Sequence, residues 1–147
     1  MAEVGTDIQQ ASTYLKQGQL VAIPTETVYG LAGNALDVKA VSSIFETKNR
    51  PSFDPLILHV GSLEQVKPFV SSFPEKLKRL AEAFWPGPLT VLLPRNASVP
   101  DLVTSGLDRV AVRVPNHPLT LALLAQLDFP LAAPSANPFG YISPTQA

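Results

Sequence analysis

Apolar residues recur along this chain at two spacings, and the alternation between those spacings predicts its elements. Over 38–47, Val41, Ile44 and Phe45 share one face at the helical period, with Asp37 just ahead as an N-cap. A helix over 7–17 is predicted from Thr6 and Gln9 as a capping box, with Gly18 as its stop. Ser62, with Gln65 three residues on, predicts another that reaches Val70. A fourth opens at Pro74, turns Leu77, Leu80, Ala81 and Phe84 inward, and stops at Trp85-Pro86-Gly87-Pro88. Asn116 or His117 starts a fifth, with Pro118 in its first turn and Leu119, Ala122 and Leu123 on its apolar side. Between the helices stand mostly apolar segments of strand length at 20–24, 56–60, 89–94, 110–114 and 131–133, the first of them a continuous apolar run. Helices alternating with short buried strands give the class α/β (α+β), one domain with a mixed sheet and flanking helices.

Composition narrows the partners. The 147 residues are 46% hydrophobic and 16% charged with a net charge of −1, so nothing pulls the whole molecule toward nucleic acid or membrane. Any basic patch is local. The absence of cysteine removes disulfides, thiolate zinc sites and a cysteine nucleophile. No leader pattern opens the chain and no apolar run nears membrane-spanning length, so the expected location is cytoplasmic, with no membrane partner. The 15 prolines, about twice the usual share of roughly 5%, sit at element ends and punctuate a folded domain.

Several familiar chemistries are missing. There is no G-x-x-x-x-G-K-[ST] loop, no G-x-G-x-x-G and no G-x-S-x-G elbow, and two histidines without cysteine make no metal-ligand cluster of standard spacing. What remains is a repeated arrangement in which a buried strand ends and polar groups follow at once. It occurs at Thr25 and Thr27, at His59, at Arg113, and at Ser135 and Asn137. Each alone serves equally well as a cap or turn; four in one domain favour a small-ligand site at strand ends. Lys48, Arg50 and Asp54 lie in a segment braced by Pro51 and Pro55. These cations either complement a helix C-terminus or hold a polyphosphate. Arg109 and Arg113 flank Val110-Ala111-Val112, so alternation puts both on one face, as solvated surface or as further counter-charge for a nucleoside triphosphate.

In order, Pro24-Thr-Glu-Thr-Val-Tyr-Gly-Leu31, Lys48-Asn-Arg50-Pro, Pro55-Leu-Ile-Leu-His59, Trp85-Pro-Gly-Pro-Leu-Thr90, Val112-Arg-Val-Pro115, Pro134-Ser-Ala-Asn137 and Ser143-Pro-Thr145 resemble the YrdC-like L-threonylcarbamoyladenylate synthases. The resemblance covers nearly the whole chain and implies an open twisted sheet with a positively lined concave pocket. It implies a nucleotidyltransferase that joins L-threonine, bicarbonate or CO2, and ATP into threonylcarbamoyl-AMP and pyrophosphate, with Mg2+. The product would pass to a threonylcarbamoyl transferase complex acting on tRNA. The family's catalytic signature falls on Lys48, Arg50, Ser135 and Asn137. Its ATP contacts fall on Arg50, Asp54, Arg109, Ser135 and Ser143, and its threonine contacts on Thr27, His59, Arg113 and Ala133. A guanidinium such as Arg113 suits the threonine carboxylate, and a neutral His59 suits orientation of the amine or acceptance of its proton. Residues 1–147 are expected to form a YrdC-like domain truncated at its C-terminal end. Two other readings share the pocket: a module binding double-stranded RNA or tRNA without turnover, and a carbamoyl-adenylate-forming relative.

Overall fold

The computed structural model describes residues 8–24, 29–47, 56–87 and 89–134. In chain order these form α1 (Ile8–Lys16), β1 (Val21–Pro24), β2 (Tyr29–Asn34), α2 (Val38–Thr47), β3 (Ile57–His59) and a 3-10 helix (Leu63–Phe69). There follow α3 (Glu75–Phe84), β4 (Val91–Pro94), α4 (Asp101–Thr104), β5 (Arg109–Arg113), α5 (Pro118–Ala125) and β6 (Leu131–Ala133). The strands make one mixed, open sheet in the order β1-β2-β6-β3-β5-β4. Among these, β3 and β5 pair parallel, and every other neighbour pair is antiparallel.

Local chemistry explains the element ends. Gly18, at a φ of +83° that an L side chain resists, closes α1 by donating to the Leu15 carbonyl at 3.1 Å, while Gln19 donates to Tyr14 at 2.9 Å. Asp37 caps α2 by accepting from the Lys39 amide at 3.0 Å. The His117 ring nitrogen accepts from the Leu119 amide at 3.2 Å and caps α5.

Alternation along the strands sorts their side chains onto two faces. Leu58, Val91, Leu93, Val110, Val112 and Ala132 form one core with residues of α2, the 3-10 helix and α4. On the opposite face Val21, Ile23, Ala32, Leu131 and Ala133 pack beneath Leu15 of α1 and Leu123 and Leu124 of α5. That second core takes nothing from β3, β4 or β5. Part of their half of the face is open among the described residues. Leu92 stands 58% exposed there, opposite the half-buried Ala111, with the half-buried Ile57 on the neighbouring strand.

The structure departs from the sequence expectation in several places, among them α5, whose buried residues are Thr120, Leu123 and Leu124 while Ala122 is exposed. Residues 62–70 make a 3-10 helix with Pro68 inside it, because proline lacks the N–H and clashes with the carbonyl an α-helix would need there. Ser62 makes no side-chain cap, and Gln65 instead accepts from the Gly61 amide at 2.6 Å. In α3 the core receives Leu77 and Ala81, whereas Leu80 and Phe84, the adjacent row, are exposed. β2, which follows the run at 20–24, and the short α4 were not anticipated.

Candidate functional site

Three strands meet where the covered and open halves of the sheet adjoin. β3 sets His59 opposite Arg113 of β5 on one side and opposite Leu131 of β6 on the other. Because β3 and β5 run parallel, both polar residues come from the same end of the sheet, at strand C-termini. Directly opposed positions sit about 4.8 Å apart across a ladder, and both side chains leave on the α1/α5 face. His59 is 3% exposed and Arg113 9%, so neither is a solvated surface group.

Each is held by backbone oxygen. The Arg113 Nε donates to the Gly87 carbonyl at 3.3 Å, and the Gly87 amide donates back to Val114 at 2.8 Å. The His59 Nδ1 lies 3.1 Å from the Ile57 carbonyl. A carbonyl can only accept, so the neutral ring carries its proton on Nδ1 and offers Nε2 as the acceptor. Burial, reinforced by the positive charge of Arg113, pushes the His59 pKa down from 6.5 to about 4; the Ile57 carbonyl pulls the other way but loses. At pH 7 the pair is thus a fixed cation beside a neutral hydrogen-bond acceptor. Such a pair matches an anionic carboxylate and an adjacent N–H or O–H donor.

Arg109 shares the face of Arg113, as alternation required, but opens β5 and is exposed. Four residues at about 3.3 Å each place it roughly 13 Å away. Ala133 closes β6, buried and paired with Ile57, two residues from His59 along β3. Thr27, Lys48, Arg50, Asp54, Ser135, Asn137 and Ser143 lie outside the described residues. The structure therefore brings together His59 and Arg113, with Leu131 beside His59; Ala133 lies two residues back along β3, and Arg109 opens β5 at that far end. Sequence reasoning missed Gly87, whose carbonyl holds Arg113; its motif reads as a helix stop, and a backbone oxygen leaves no residue signature. Among the described residues no group of three or more His, Cys, Asp or Glu could hold a metal ion. None of their helices is long and apolar enough to cross a membrane.

The family model Sua5_yciO_yrdC, described as "Telomere recombination", matches residues 13–147. The chain belongs to the Sua5/YciO/YrdC family. Within that family it is 51% identical over 140 residues to the threonylcarbamoyl-AMP synthase of Pyrococcus abyssi, a match covering 95% of this chain and 41% of that protein. It is 48% identical over 141 residues to the threonylcarbamoyl-AMP synthase of Bacillus subtilis, with coverages of 95% and 41%. The crystal structure of P. abyssi Sua5 complexed with L-threonine superposes with a TM-score of 0.86 at 49% identity, over 92% of this chain and 40% of that one. The chain thus spans about two-fifths of the length of these relatives. The Sua5/YciO/YrdC fold is the open mixed sheet with flanking helices that the sequence predicted.

Proposed function

We propose that this chain carries the active site of an L-threonylcarbamoyladenylate synthase. The observation that carries the reading is the buried Arg113 beside a neutral His59, an arrangement made for an α-amino acid. The solved complex of a relative with L-threonine and the relatives' names support threonine and an adenylate as its chemistry. Arg113 pairs with the threonine carboxylate, and Thr27 and the backbone at Ala133 complete the amino-acid pocket. The amine attacks the carbon of CO2 to give a carbamate and releases one proton to solvent water. A carbamate oxygen then attacks the α-phosphorus of ATP, the α–β phosphoanhydride bond breaks, and pyrophosphate leaves. His59 orients the amine through Nε2 and does not store the released proton, because its imidazolium is disfavoured to a pKa of about 4.

Lys48 and Arg50, with Ser135 and Asn137, offset the charge moving across the phosphates, and Asp54, Arg109 and Ser143 hold the nucleotide. Mg2+ arrives with ATP as part of the substrate, bound mostly by phosphate oxygens and water. The product passes to a threonylcarbamoyl transferase complex acting on tRNA in the cytoplasm. Incubation with ATP, bicarbonate and radiolabelled threonine should yield a labelled adenylate, and Arg113→Leu should lose the threonine response while keeping ATP binding. A protein that binds duplex RNA with log affinity falling linearly in log salt, yet makes no adenylate, would point to the RNA-binding module instead.

A further inference from the structure

The two cores leave a gap at the end of the sheet where β3 finishes and β6 begins. Val60, Val66 and Phe69 belong to the larger core, whereas Leu127 and Phe129 belong to the one beneath α1 and α5. Between the 3-10 helix and the turn from α5 to β6 lies a cavity of about 190 Å³. Val60, Phe69 and Leu127, none more than 9% exposed, form its buried lining, and the half-buried Phe129 adds a second phenyl ring. Val60 follows His59 and so leaves the strand on the opposite face, with Leu58. The cavity therefore lies across β3 from the His59–Arg113 pair.

Its polar lining is sparse and of one sign. The Gln65 side-chain oxygen already accepts from the Gly61 amide at 2.6 Å. Pro68 and Pro130 have no N–H to give, and no lysine, arginine or histidine stands in the wall. Lys67, beside Pro68 in the chain, is outside the lining and pairs with Glu64 at 3.3 Å. That leaves Asp128, exposed at the mouth and without an ion-pair partner among the described residues. An anion would meet few donors here and a repelling carboxylate; a cation would meet its partner. A dry cavity of about 150 Å³ accepts benzene, so this one has room for a single ring with a short substituent. We propose that the cavity is a ligand site separate from the nucleotide and amino-acid pocket, and that its ligand is a small organic cation. A ring or short branched chain lies against Phe69 and Leu127 and ends in an ammonium that reaches the Asp128 carboxylate.

The test follows backbone amides by NMR while the chain is titrated at low salt and pH 7 with three probes. These are benzylammonium, its neutral counterpart benzyl alcohol, and N-acetyl-lysine methylamide, the protein-borne form of the same chemistry. Benzylammonium should shift the amides of Gln65, Phe69, Leu127 and Phe129. It should bind about three- to fivefold tighter than benzyl alcohol, the factor an exposed ion pair supplies, and lose that margin as salt is raised. Asp128→Asn, an exposed change that keeps the side chain's shape, should abolish the preference and leave benzyl alcohol binding within about twofold. No shift at those amides, or shifts centred on Gly87, would overturn the site. Equal binding of the two benzyl probes, or a preference that survives Asp128→Asn, would overturn the cation. Tighter binding of the lysine derivative than of benzylammonium would overturn the small-molecule assignment and make the cavity a seat for a partner's basic side chain.

Discussion

Acidification should unfold this domain partly through His59. The ring titrates near 6.5 in an unfolded chain and at about 4 in the folded one, because burial and Arg113 oppose its charge. Above pH 6.5 both states are neutral and the residue contributes nothing to the pH dependence. Between 6.5 and 4 the unfolded chain binds a proton that the folded chain refuses, so stability falls as pH falls. Below 4 both states are protonated and the loss levels off. A separation of roughly 2.5 units at 1.36 kcal/mol each corresponds to about 3 kcal/mol, with about 2 kcal/mol of it gone by pH 5. Carboxylates titrate over part of the same window, so the assay is a difference. Urea unfolding is followed at half-unit steps from pH 8 to 4 for the wild type and for His59→Gln, which cannot titrate. The wild-type curve minus the variant curve should be flat above pH 7 and drop by about 3 kcal/mol at pH 4. Two curves that stay parallel across the range would show that the ring ionises equally in both states, and the account of its burial would be wrong.

Three other expectations can be checked. Nitrogen-detected NMR at pH 7 should find the His59 proton on Nδ1, and Arg113→Leu should raise the ring's pKa, since a neighbouring cation is removed; an Nε2–H tautomer refutes the Ile57 contact. Leu58→Ala, at a fully buried core position, should cost about 2–5 kcal/mol, whereas Phe84→Ser on the exposed row of α3 should change stability by less than about 1 kcal/mol; comparable losses in urea melts would mean that α3 buries its second row. Lys48→Ala and Arg50→Ala should each weaken ATP binding while leaving stability within about 0.5 kcal/mol, as for side chains that act on a ligand and not on the fold; unfolding of either variant would make those residues structural.

The sequence exposed the sheet's interior more clearly than its margins. Leu56-Ile57-Leu58 and Val110-Ala111-Val112 read as strands because they are short apolar runs, too short for a helix and bounded by proline or charge. β2 escaped because Gly30, Ala32 and Gly33 have low strand propensity; its pairing with β1 and β6 is a tertiary gain that no local pattern announces. Pattern also overcounted: Leu77, Leu80, Ala81 and Phe84 fit one wide helical face, yet the helix beds on the Leu77 and Ala81 row alone. At the site, the residue types of His59 and Arg113 were visible in sequence, and alternation put Arg109 and Arg113 on one face. Their burial, the ring's tautomer and the bond from Arg113 to Gly87 depend on which strands become neighbours, and no spacing along the chain encodes that.

The position of β6 carries a consequence for how the molecule comes to exist. It is the last of the described strands in the chain, yet it lies in the middle of the sheet, between β2 and β3. Until residues 131–133 arrive, β1–β2 and β3–β5–β4 are two separate ribbons, each with a raw edge of unpaired amides and carbonyls. A chain emerging from the ribosome must keep those edges apart from each other and from other chains until the final strand slots in. His59 gains its second neighbouring strand at that same step. The setting of His59 is therefore not inherited from an early subdomain but completed when β6 pairs, and a chain held short of that step would expose both ribbon edges.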